Sequence, residues 1–266
     1  MQPLSYLLSA LLLIFSFHAY AEINTLSQAI NESGRLRMLS QRVAKAYILS
    51  GLDIQPEKSQ RQLNESKTLF ETNLAELRQF SSSINKPIIH SHIESIEQIW
   101  GTYTNMFNVH FNAQHLPEIL MLSDAALLAS EELVKQLESL SNTSSAHLVS
   151  IAGRQRMLSQ RIAKLYSAMS ASSDKNLYAG ELLLAVNEFD SALNELIQSK
   201  RNTNFVSYKL KKVSSQWDFS KQGFKALDSG NSTPLVIAIT TETILQQMDD
   251  ITDLYEEIDK TSQSPL

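Results

Sequence analysis

The chain carries one fourteen-residue sequence twice, about 119 residues apart. Residues 34–47 read GRLRMLSQRVAKAY and residues 153–166 read GRQRMLSQRIAKLY, and the two differ at only three positions. A Trp and a Phe spaced seven residues apart follow each copy: Trp100 and Phe107, then Trp217 and Phe224. Residues seven apart share one face of a helix, so we expect these aromatic residues in the core. The repeat therefore indicates a duplicated domain.

Each copy is predicted to form four helices. Gly (7 residues) and Pro (6) are scarce in the 266-residue chain, and apolar residues recur with the helical period. The helices predicted between breakers are 24–50, 57–82, 88–112 and 116–141 in the first copy, and 145–172, 175–200, 203–228 and 233–260 in the second. Long helices with short connections favour up-down bundles. The predicted fold class is all-α, with two tandem four-helix up-down bundles.

The first 21 residues resemble an export signal. An uncharged apolar run over residues 4–17 ends near Ala19 and Ala21, a small-x-small cleavage pattern. The residues before the run include no Lys or Arg, so an uncleaved membrane anchor is the alternative. We expect a cleaved signal peptide (1–21), domains at 22–143 and 144–266, and a periplasmic location. Without Cys, the exported protein has no disulfides.

Composition and motifs argue against several function classes. The net charge of −5 disfavours general nucleic-acid binding, which needs a basic face. No later stretch approaches the roughly 18 apolar residues of a transmembrane helix. His90 and His92 point to different sides of a helix, and His110 and His115 flank a loop, so no metal-ligand pattern emerges. No phosphate loop or nucleophile elbow is recognisable. We expect no enzyme activity, no cofactor and no metal.

The motif helix has two opposed faces at about 100° per residue. The predicted core face carries Leu36, Leu39, Val43, Ala46 and Tyr47. The opposite face carries Ile30, Gly34, Arg37, Gln41, Lys45 and Ile48, and a third strip carries Arg35, Arg42 and Leu49. The second copy repeats the polar face with Gly153, Arg156, Gln160 and Lys164, and the strip with Arg154 and Arg161. Gln155 departs from the pattern, because the first copy has Leu36 there.

Gly34 and Gly153 need an explanation, because Gly inside a helix costs about 1 kcal/mol relative to Ala. Such a Gly usually marks the close approach of a backbone or a ligand. Each stands one turn before an Arg on the same face, and a guanidinium beside an open Gly suits a small planar oxyanion. The alternative is structural, with Gly allowing tight helix packing and the arginines solvated or paired with carboxylates.

Two acidic pairs bear on that alternative. Glu131-Glu132 and Asp249-Asp250 lie near the ends of the fourth predicted helices of the two copies. They could balance the motif arginines across each bundle. We expect solvated faces for both pairs, as is usual for surface carboxylates.

The motif Gly34-Arg35-Leu36-Arg37-Met38-Leu39-Ser40-Gln41-Arg42, preceded by Ile30-Asn31, resembles the signature of the PilJ-type N-terminal sensor domain of the type IV pilus chemotaxis transducer. It is also similar to the "P-box" of periplasmic nitrate/nitrite sensors of the NarX/NarQ type. The resemblance implies periplasmic four-helix bundles that dimerise through the first helix. In the nitrate sensors, one nitrate lies on the dimer axis beside the Gly backbone and the Arg three residues later.

Carried over, the resemblance implies a pseudo-dimer within one chain, with one shared anion site. Its Gly and Arg positions correspond to Gly34 and Arg37, and to Gly153 and Arg156. The same polar faces add Gln41 and Gln160 as ligand-binding candidates, with Arg35, Arg42, Arg154 and Arg161 as a secondary basic strip. The nitrate sensors have Ser after the Gly and Gln after the Met, whereas this chain has Arg and Leu, so it is closer to the PilJ-type branch.

Two functions remain open at the sequence level. The first is a periplasmic sensory protein that binds a small oxyanion such as nitrate or nitrite between the motif helices. Because no transmembrane helix or signalling module follows the second copy, we expect it to act through a membrane receptor or envelope partner. The alternative is a cell-envelope interaction module, related to type IV pili or chemoreceptors, with no small ligand. The sequence leaves open whether the copies pack on each other or on a second chain.

Overall fold

A computed structural model describes residues 23–141, 144–174, 176–228 and 233–263. The expected signal peptide and the domain boundary near Asn142 lie outside these residues. Within them the secondary structure is helical, without a β-strand, which confirms the all-α prediction. No described helix is both long enough and apolar enough to cross a membrane.

Eight α-helices follow one another along the described residues. They are α1 (Leu26–Gly51), α2 (Pro56–Ser83), α3 (Pro87–Asn105), α4 (Leu116–Leu140), α5 (Ser144–Ala171), α6 (Ala179–Gln198), α7 (Asn204–Asp228) and α8 (Pro234–Gln263). Two single-turn 3₁₀ helices, Met106–Asn108 and Ala113–His115, connect α3 to α4. The first repeat thus supplies α1 to α4, and the second supplies α5 to α8.

Local sequence signals set several helix starts. Thr25 caps α1 in a capping box. The Thr25 hydroxyl accepts a hydrogen bond from the backbone N–H of Gln28, and the Gln28 side chain accepts one from the backbone N–H of Thr25. Pro56, Pro87 and Pro234 open α2, α3 and α8, where a missing backbone N–H costs nothing. These prolines are the main reason that the predicted starts of these three helices lie within one residue of the observed ones.

The predicted helix 88–112 is wrong at its end, because α3 stops at Asn105. The chain after it folds across the end of α1. The Tyr47 hydroxyl donates to the carbonyl of Val109 (2.9 Å), and the rings of Phe107 and Phe111 pack edge-on against the Tyr47 ring. Tertiary aromatic packing has overridden the helical periodicity of this segment.

The motif helices α1 and α5 pack against each other along their lengths. α4 packs on α1, and α8 on α5, while α2 and α6 lie on the outer sides of α1 and α5. α3 contacts α4, and α7 contacts α8. The motif helices run parallel, because α4 is antiparallel to both of them. The core face of each motif helix therefore packs within its own repeat, and its polar face packs against the other repeat.

The aromatic residues that follow each motif anchor the two cores in similar ways. The Trp100 ring stacks on Phe70 with centroids 3.7 Å apart, and Trp217 packs on Phe189 at 4.1 Å. Both Trp side chains are buried, as predicted. Phe107, which lies in the 3₁₀ segment, and Phe224 are only partly buried against the core.

Candidate functional site

Gly34 and Gly153 face each other across the α1/α5 interface. A Cβ added to Gly153 would lie 4.0 Å from the Gly34 Cα, and 3.3 Å from the Nη2 atoms of both Arg37 and Arg156. A Cβ added to Gly34 would lie 3.2 Å from Arg37 Nη2 and 3.6 Å from Arg156 Nη2. The two motif guanidiniums therefore converge in the space beside the paired glycines.

Each of these arginines also crosses to the other repeat. Arg37 Nη2 donates to the carbonyl oxygen of Ser150 on α5 (3.1 Å). Arg156 Nη2 donates to the carbonyl oxygen of Asn31 on α1 (3.3 Å) and to the side-chain oxygen of Asn31 (2.7 Å). Asn31 and Ser150 occupy equivalent positions in the two repeats. The site is thus nearly two-fold symmetric, and Asn31 supplies one acceptor that Ser150 does not match.

A carboxylate from the fourth helix of the same repeat binds each arginine. Arg37 Nη1 donates to Glu131 Oε2 on α4 (2.5 Å), and Arg156 Nη1 donates to Asp249 Oδ1 on α8 (2.6 Å). The side chains of Arg37 and Arg156 are 1% and 0% exposed. The described site is therefore closed to solvent on the arginine side.

The expectation of solvated faces at the acidic pairs was wrong for Glu131, whose side chain is 16% exposed, and held only in part for Asp249, which is 45% exposed but paired with Arg156. Both carboxylates accept a hydrogen bond from a buried arginine, because the first residue of each acidic pair lies on the side of α4 or α8 that packs against the motif helices. Their sequence neighbours Glu132 and Asp250 remain more than half exposed, at 51% and 62%. Adjacent residues on a helix point about 100° apart, which separates the two roles.

The electrostatics of the site follow from burial and from the neighbouring charges. Burial lowers the pKa of Arg37, and Arg154 and Arg156 lower it further, against the opposing effect of Glu131. Burial alone would raise the pKa of Glu131 and of Asp249, but the arginines beside them hold both values below the usual range. Both carboxylates are therefore ionised at neutral pH, so they partly offset two like charges held close together.

One donor on each guanidinium has no hydrogen-bond partner. The Nε atoms of Arg37 and Arg156 are both buried and unpaired. Each carboxylate takes an Nη1 proton, and Ser150 or Asn31 accepts from Nη2, so Nε is the donor that each guanidinium has left for an anion. An unpaired buried donor costs about 1–3 kcal/mol, and an anion or a water would relieve this cost.

Gln41 and Gln160 lie one turn further along their helices and bind other groups. The amide of Gln41 donates to the carbonyl oxygen of Ser123 on α4 (2.9 Å), and its own oxygen is buried without a partner. The side-chain oxygen of Gln160 accepts from Lys45 Nζ across the repeats (2.6 Å). The hydrogen bonds of these glutamines therefore link them to a second polar cluster.

That second cluster begins at Lys45, which is fully buried on α1. Its ammonium donates to Gln160 and to Glu242 Oε2 on α8 (2.9 Å), and Arg42 donates to the other oxygen of Glu242. Burial lowers the pKa of Lys45 to about 8, against the opposing effect of Glu242. Burial would raise the pKa of Glu242, but Lys45 and Arg42 bring it down to about 2.

The symmetric half of the second cluster is centred on Lys164 of α5. Its ammonium donates to Ser123 Oγ and to Asp124 Oδ1 on α4, both at 2.7 Å. Arg161 lies 3.4 Å from the other Asp124 oxygen. Burial lowers the pKa of Lys164 to about 8, against the opposing effect of Asp124. Each buried lysine thus binds a carboxylate of the other repeat.

The described polar contacts form one network in which four carboxylates serve eight motif cations. Glu131 binds Arg37 and Arg154, Asp249 binds Arg156 and Arg35, Asp124 binds Lys164 and Arg161, and Glu242 binds Lys45 and Arg42. Glu32 and Glu188 add further carboxylates to Arg35 and Arg154 at the edge. The secondary basic strip therefore links the repeats, since all four of its arginines reach a carboxylate of the other repeat.

Sequence reasoning missed Asp124 and Glu242 as partners of the motif cations. A signal was present, because each fourth helix carries two acidic residues seven apart, Asp124 with Glu131 and Glu242 with Asp249, which places them on one face. The structure also accounts for Gln155, whose amide donates to the carbonyl oxygen of Phe189 on α6 (3.0 Å).

Comparison with known families gives one match. A family model described as "Type IV pili methyl-accepting chemotaxis transducer N-term" (PilJ) matches residues 19–119 and 139–230, well over half of the chain. Comparisons with curated proteins and with solved structures return no match. The two matched segments fall one in each repeat, as the duplicated motif predicts. The chain therefore belongs to the PilJ family of chemotaxis-transducer sensory domains.

Proposed function

We propose that this protein is a periplasmic sensory module that binds a small oxyanion, such as nitrate or nitrite, between α1 and α5. The observation that carries the proposal is the convergence of Arg37 and Arg156 beside Gly34 and Gly153. One anion at this point would contact both repeats, so the site is a property of the duplicated chain and not of either repeat alone.

The buried donors without a partner support an anion. The eight motif cations pair with four carboxylates of α4 and α8 and with three more at the edge, Glu32, Glu181 and Glu188, so the paired charges nearly balance. The unpaired Nε atoms of Arg37 and Arg156 offer charge-assisted hydrogen bonds. Such bonds contribute roughly 1.5–3 kcal/mol each. Glu131 and Asp249 hold the other side of each guanidinium and keep it oriented.

Burial of the site links binding to the interface. Because both arginine side chains are closed to solvent, an anion enters only when α1 and α5 move apart or turn relative to each other. A ligand that favours one arrangement of two packed helices shifts the population of that arrangement. We propose that a membrane receptor or another envelope protein detects this shift.

Calorimetry on the chain from residue 22 onward tests the proposal with nitrate, nitrite and chloride. We expect one oxyanion per chain, and we expect either Arg37→Ala or Arg156→Ala to abolish binding. Arg78→Ala is the matched control, because Arg78 forms an exposed ion pair with Glu97 on the outer helices. Two anions per chain, or unchanged binding in the motif variants, would contradict a shared site.

The pairing of both guanidiniums with carboxylates favours a second candidate function. If Glu131 and Asp249 fully satisfy the arginines, the network serves to hold the repeats together, and the protein is an envelope interaction module with no small ligand. A pull-down from envelope extracts distinguishes the two. A stable partner that is retained regardless of nitrate, together with no heat of anion binding, supports the interaction module.

A further inference from the structure

The segment 197–212 covers the end of α6, the α6–α7 turn and the first part of α7, and it is unusually basic. It contains five cations, Lys200, Arg201, Lys209, Lys211 and Lys212, and no acidic residue, in a chain whose net charge is −5. The equivalent segment of the first repeat, 80–95, contains one Lys and one Glu. The basic character is therefore specific to the second repeat and is not inherited from the duplicated fold.

Large apolar side chains are exposed among these cations. Phe205, Tyr208 and Ile197 are 56%, 55% and 43% exposed. Lys209 Nζ lies 5.3 Å from the Phe205 ring centroid, and Lys212 Nζ lies 4.7 Å from that of Tyr208. Each ring therefore carries a cation one turn away on the same helix face.

The neighbouring helix neutralises only part of this charge. On α8, Asp250 pairs with Lys209 (2.7 Å). Lys200, Lys211 and Lys212 are exposed on the surface around the two rings. A groove of about 360 Å³ between α6 and α7 is lined by Ile197, Leu210 and Lys211 among others.

This surface lies at the end of the molecule where α1 begins. Asn202, in the α6–α7 turn, accepts from the Tyr255 hydroxyl near the end of α8 (2.6 Å). The adjacent Glu256 accepts from the Asn31 amide in the second turn of α1 (2.8 Å). The basic segment therefore lies near the C-terminal part of α8 and the first turns of α1.

We propose that the aromatic-basic surface of residues 197–212 docks on the surface of an anionic phospholipid bilayer. Lysine side chains bind lipid phosphates while their stems and the adjacent rings lie among the headgroups, which is how amphipathic surfaces bind membranes. Charge alone would also suit an acidic protein. The exposed side chains of Phe205, Tyr208 and Ile197 beside the lysines favour the bilayer. The inference is independent of the anion site.

Co-sedimentation with vesicles tests this proposal. We expect the chain from residue 22 onward to bind phosphatidylcholine vesicles that contain phosphatidylglycerol, to bind pure phosphatidylcholine far more weakly, and to lose binding at high salt. The variant Lys200→Glu/Lys211→Glu/Lys212→Glu should reduce binding by at least about tenfold. The variant Phe205→Ser/Tyr208→Ser should weaken it further at equal charge.

Lys86→Glu, at the equivalent turn of the first repeat, is the matched control and should bind as the unmodified protein does. Since every substituted residue is exposed, thermal melting should show that all variants remain folded. The proposal is overturned if the protein binds both kinds of vesicle equally or binds neither. It is also overturned if the triple variant binds as well as the unmodified protein. Binding to polyglutamate but not to anionic vesicles assigns the surface to an acidic protein instead and also overturns it.

Discussion

Arg37 and Arg156 occupy equivalent positions in two copies of one motif, and their Nη2 atoms lie at the same distance, 3.3 Å, from the point where a Gly153 Cβ would be. Two guanidiniums this close repel each other unless carboxylates offset the charge. Glu131 and Asp249 do so from the outer side of each guanidinium. Because α1 and α5 belong to one chain, the interface forms without a second molecule.

Replacing either glycine by alanine should remove the anion site while leaving the fold intact. A Cβ at Gly153 meets both guanidiniums at 3.3 Å, so both must shift by a few tenths of an ångström. The gain of about 1 kcal/mol from alanine in a helix should offset this cost. We expect Gly153→Ala to leave the free energy of unfolding nearly unchanged and to abolish nitrate binding in calorimetry.

Gly101→Ala is the control for the glycine substitution. Gly101 lies inside α3, and no atom lies within 4 Å of the position its Cβ would take. We expect urea denaturation of Gly101→Ala to show a free energy of unfolding about 1 kcal/mol higher, and calorimetry to show unchanged nitrate binding. A Gly153→Ala variant that is stabilised as much as Gly101→Ala and binds normally would refute the close approach.

Removing the Glu131 charge should be more damaging than removing the Asp249 charge. The Glu131 side chain is 16% exposed, so Glu131→Gln leaves a buried guanidinium poorly compensated, at a cost of about 2–4 kcal/mol. The Asp249 side chain is 45% exposed, and Arg156 keeps two acceptors on Asn31, so Asp249→Asn should cost less. Urea denaturation measures both. Glu132→Gln, on the exposed neighbour, should change stability by less than about 0.5 kcal/mol.

The buried lysines should make the protein more stable in mild alkali. The pKa values of Lys45 and Lys164 are about 8 in the folded protein, below the ordinary 10.5. Between these values the unfolded chain binds more protons, so the free energy of unfolding should rise from pH 8 to pH 9.5. Lys45→Met should remove about half of the rise in urea denaturation, and Lys86→Met, at an exposed lysine of the α2–α3 turn, should preserve it. A free energy of unfolding that stays constant from pH 8 to pH 9.5 would show that the buried lysines stay charged.

Acid should weaken the same cluster through Glu242. Its pKa of about 2 lies below the ordinary 4.5, so the stability it contributes is complete above pH 4.5 and is lost as the pH falls towards 2. Glu242→Gln should lower stability at pH 6 and should show a smaller further loss at pH 3 than the unmodified protein. The exposed Glu57→Gln should behave like the unmodified protein at both values. If Glu242→Gln and the unmodified protein lose the same stability between pH 6 and pH 3, Glu242 is not paired with Lys45 and Arg42 as described.

The sequence predicted the fold well because its signals are local. Helical periodicity, proline at helix starts and the duplicated motif together predict two tandem four-helix bundles. The end of α3 escaped prediction, because the packing of Phe107 and Phe111 on Tyr47 is a tertiary contact with no local signature.

The candidate site was predicted in part. Periodicity placed Arg37 and Arg156 on polar faces, but only the three-dimensional structure shows that these faces meet each other. Partners such as Asp124 lie some 40 residues from Lys164 in sequence, beyond the reach of spacing rules. The charge state of Glu131 depends on its burial and on the arginines that the fold brings beside it, which a helical wheel does not reveal.

Nuclear magnetic resonance of the arginine side chains tests the shared site most directly. The ¹⁵Nε–¹H signals of Arg37 and Arg156 can be assigned by their loss in Arg37→Lys and Arg156→Lys and followed during a nitrate titration, with chloride at matched ionic strength as the control. We predict that both signals shift together with one midpoint, at one nitrate per chain. If neither signal moves, or only one does, the two arginines do not hold a common anion.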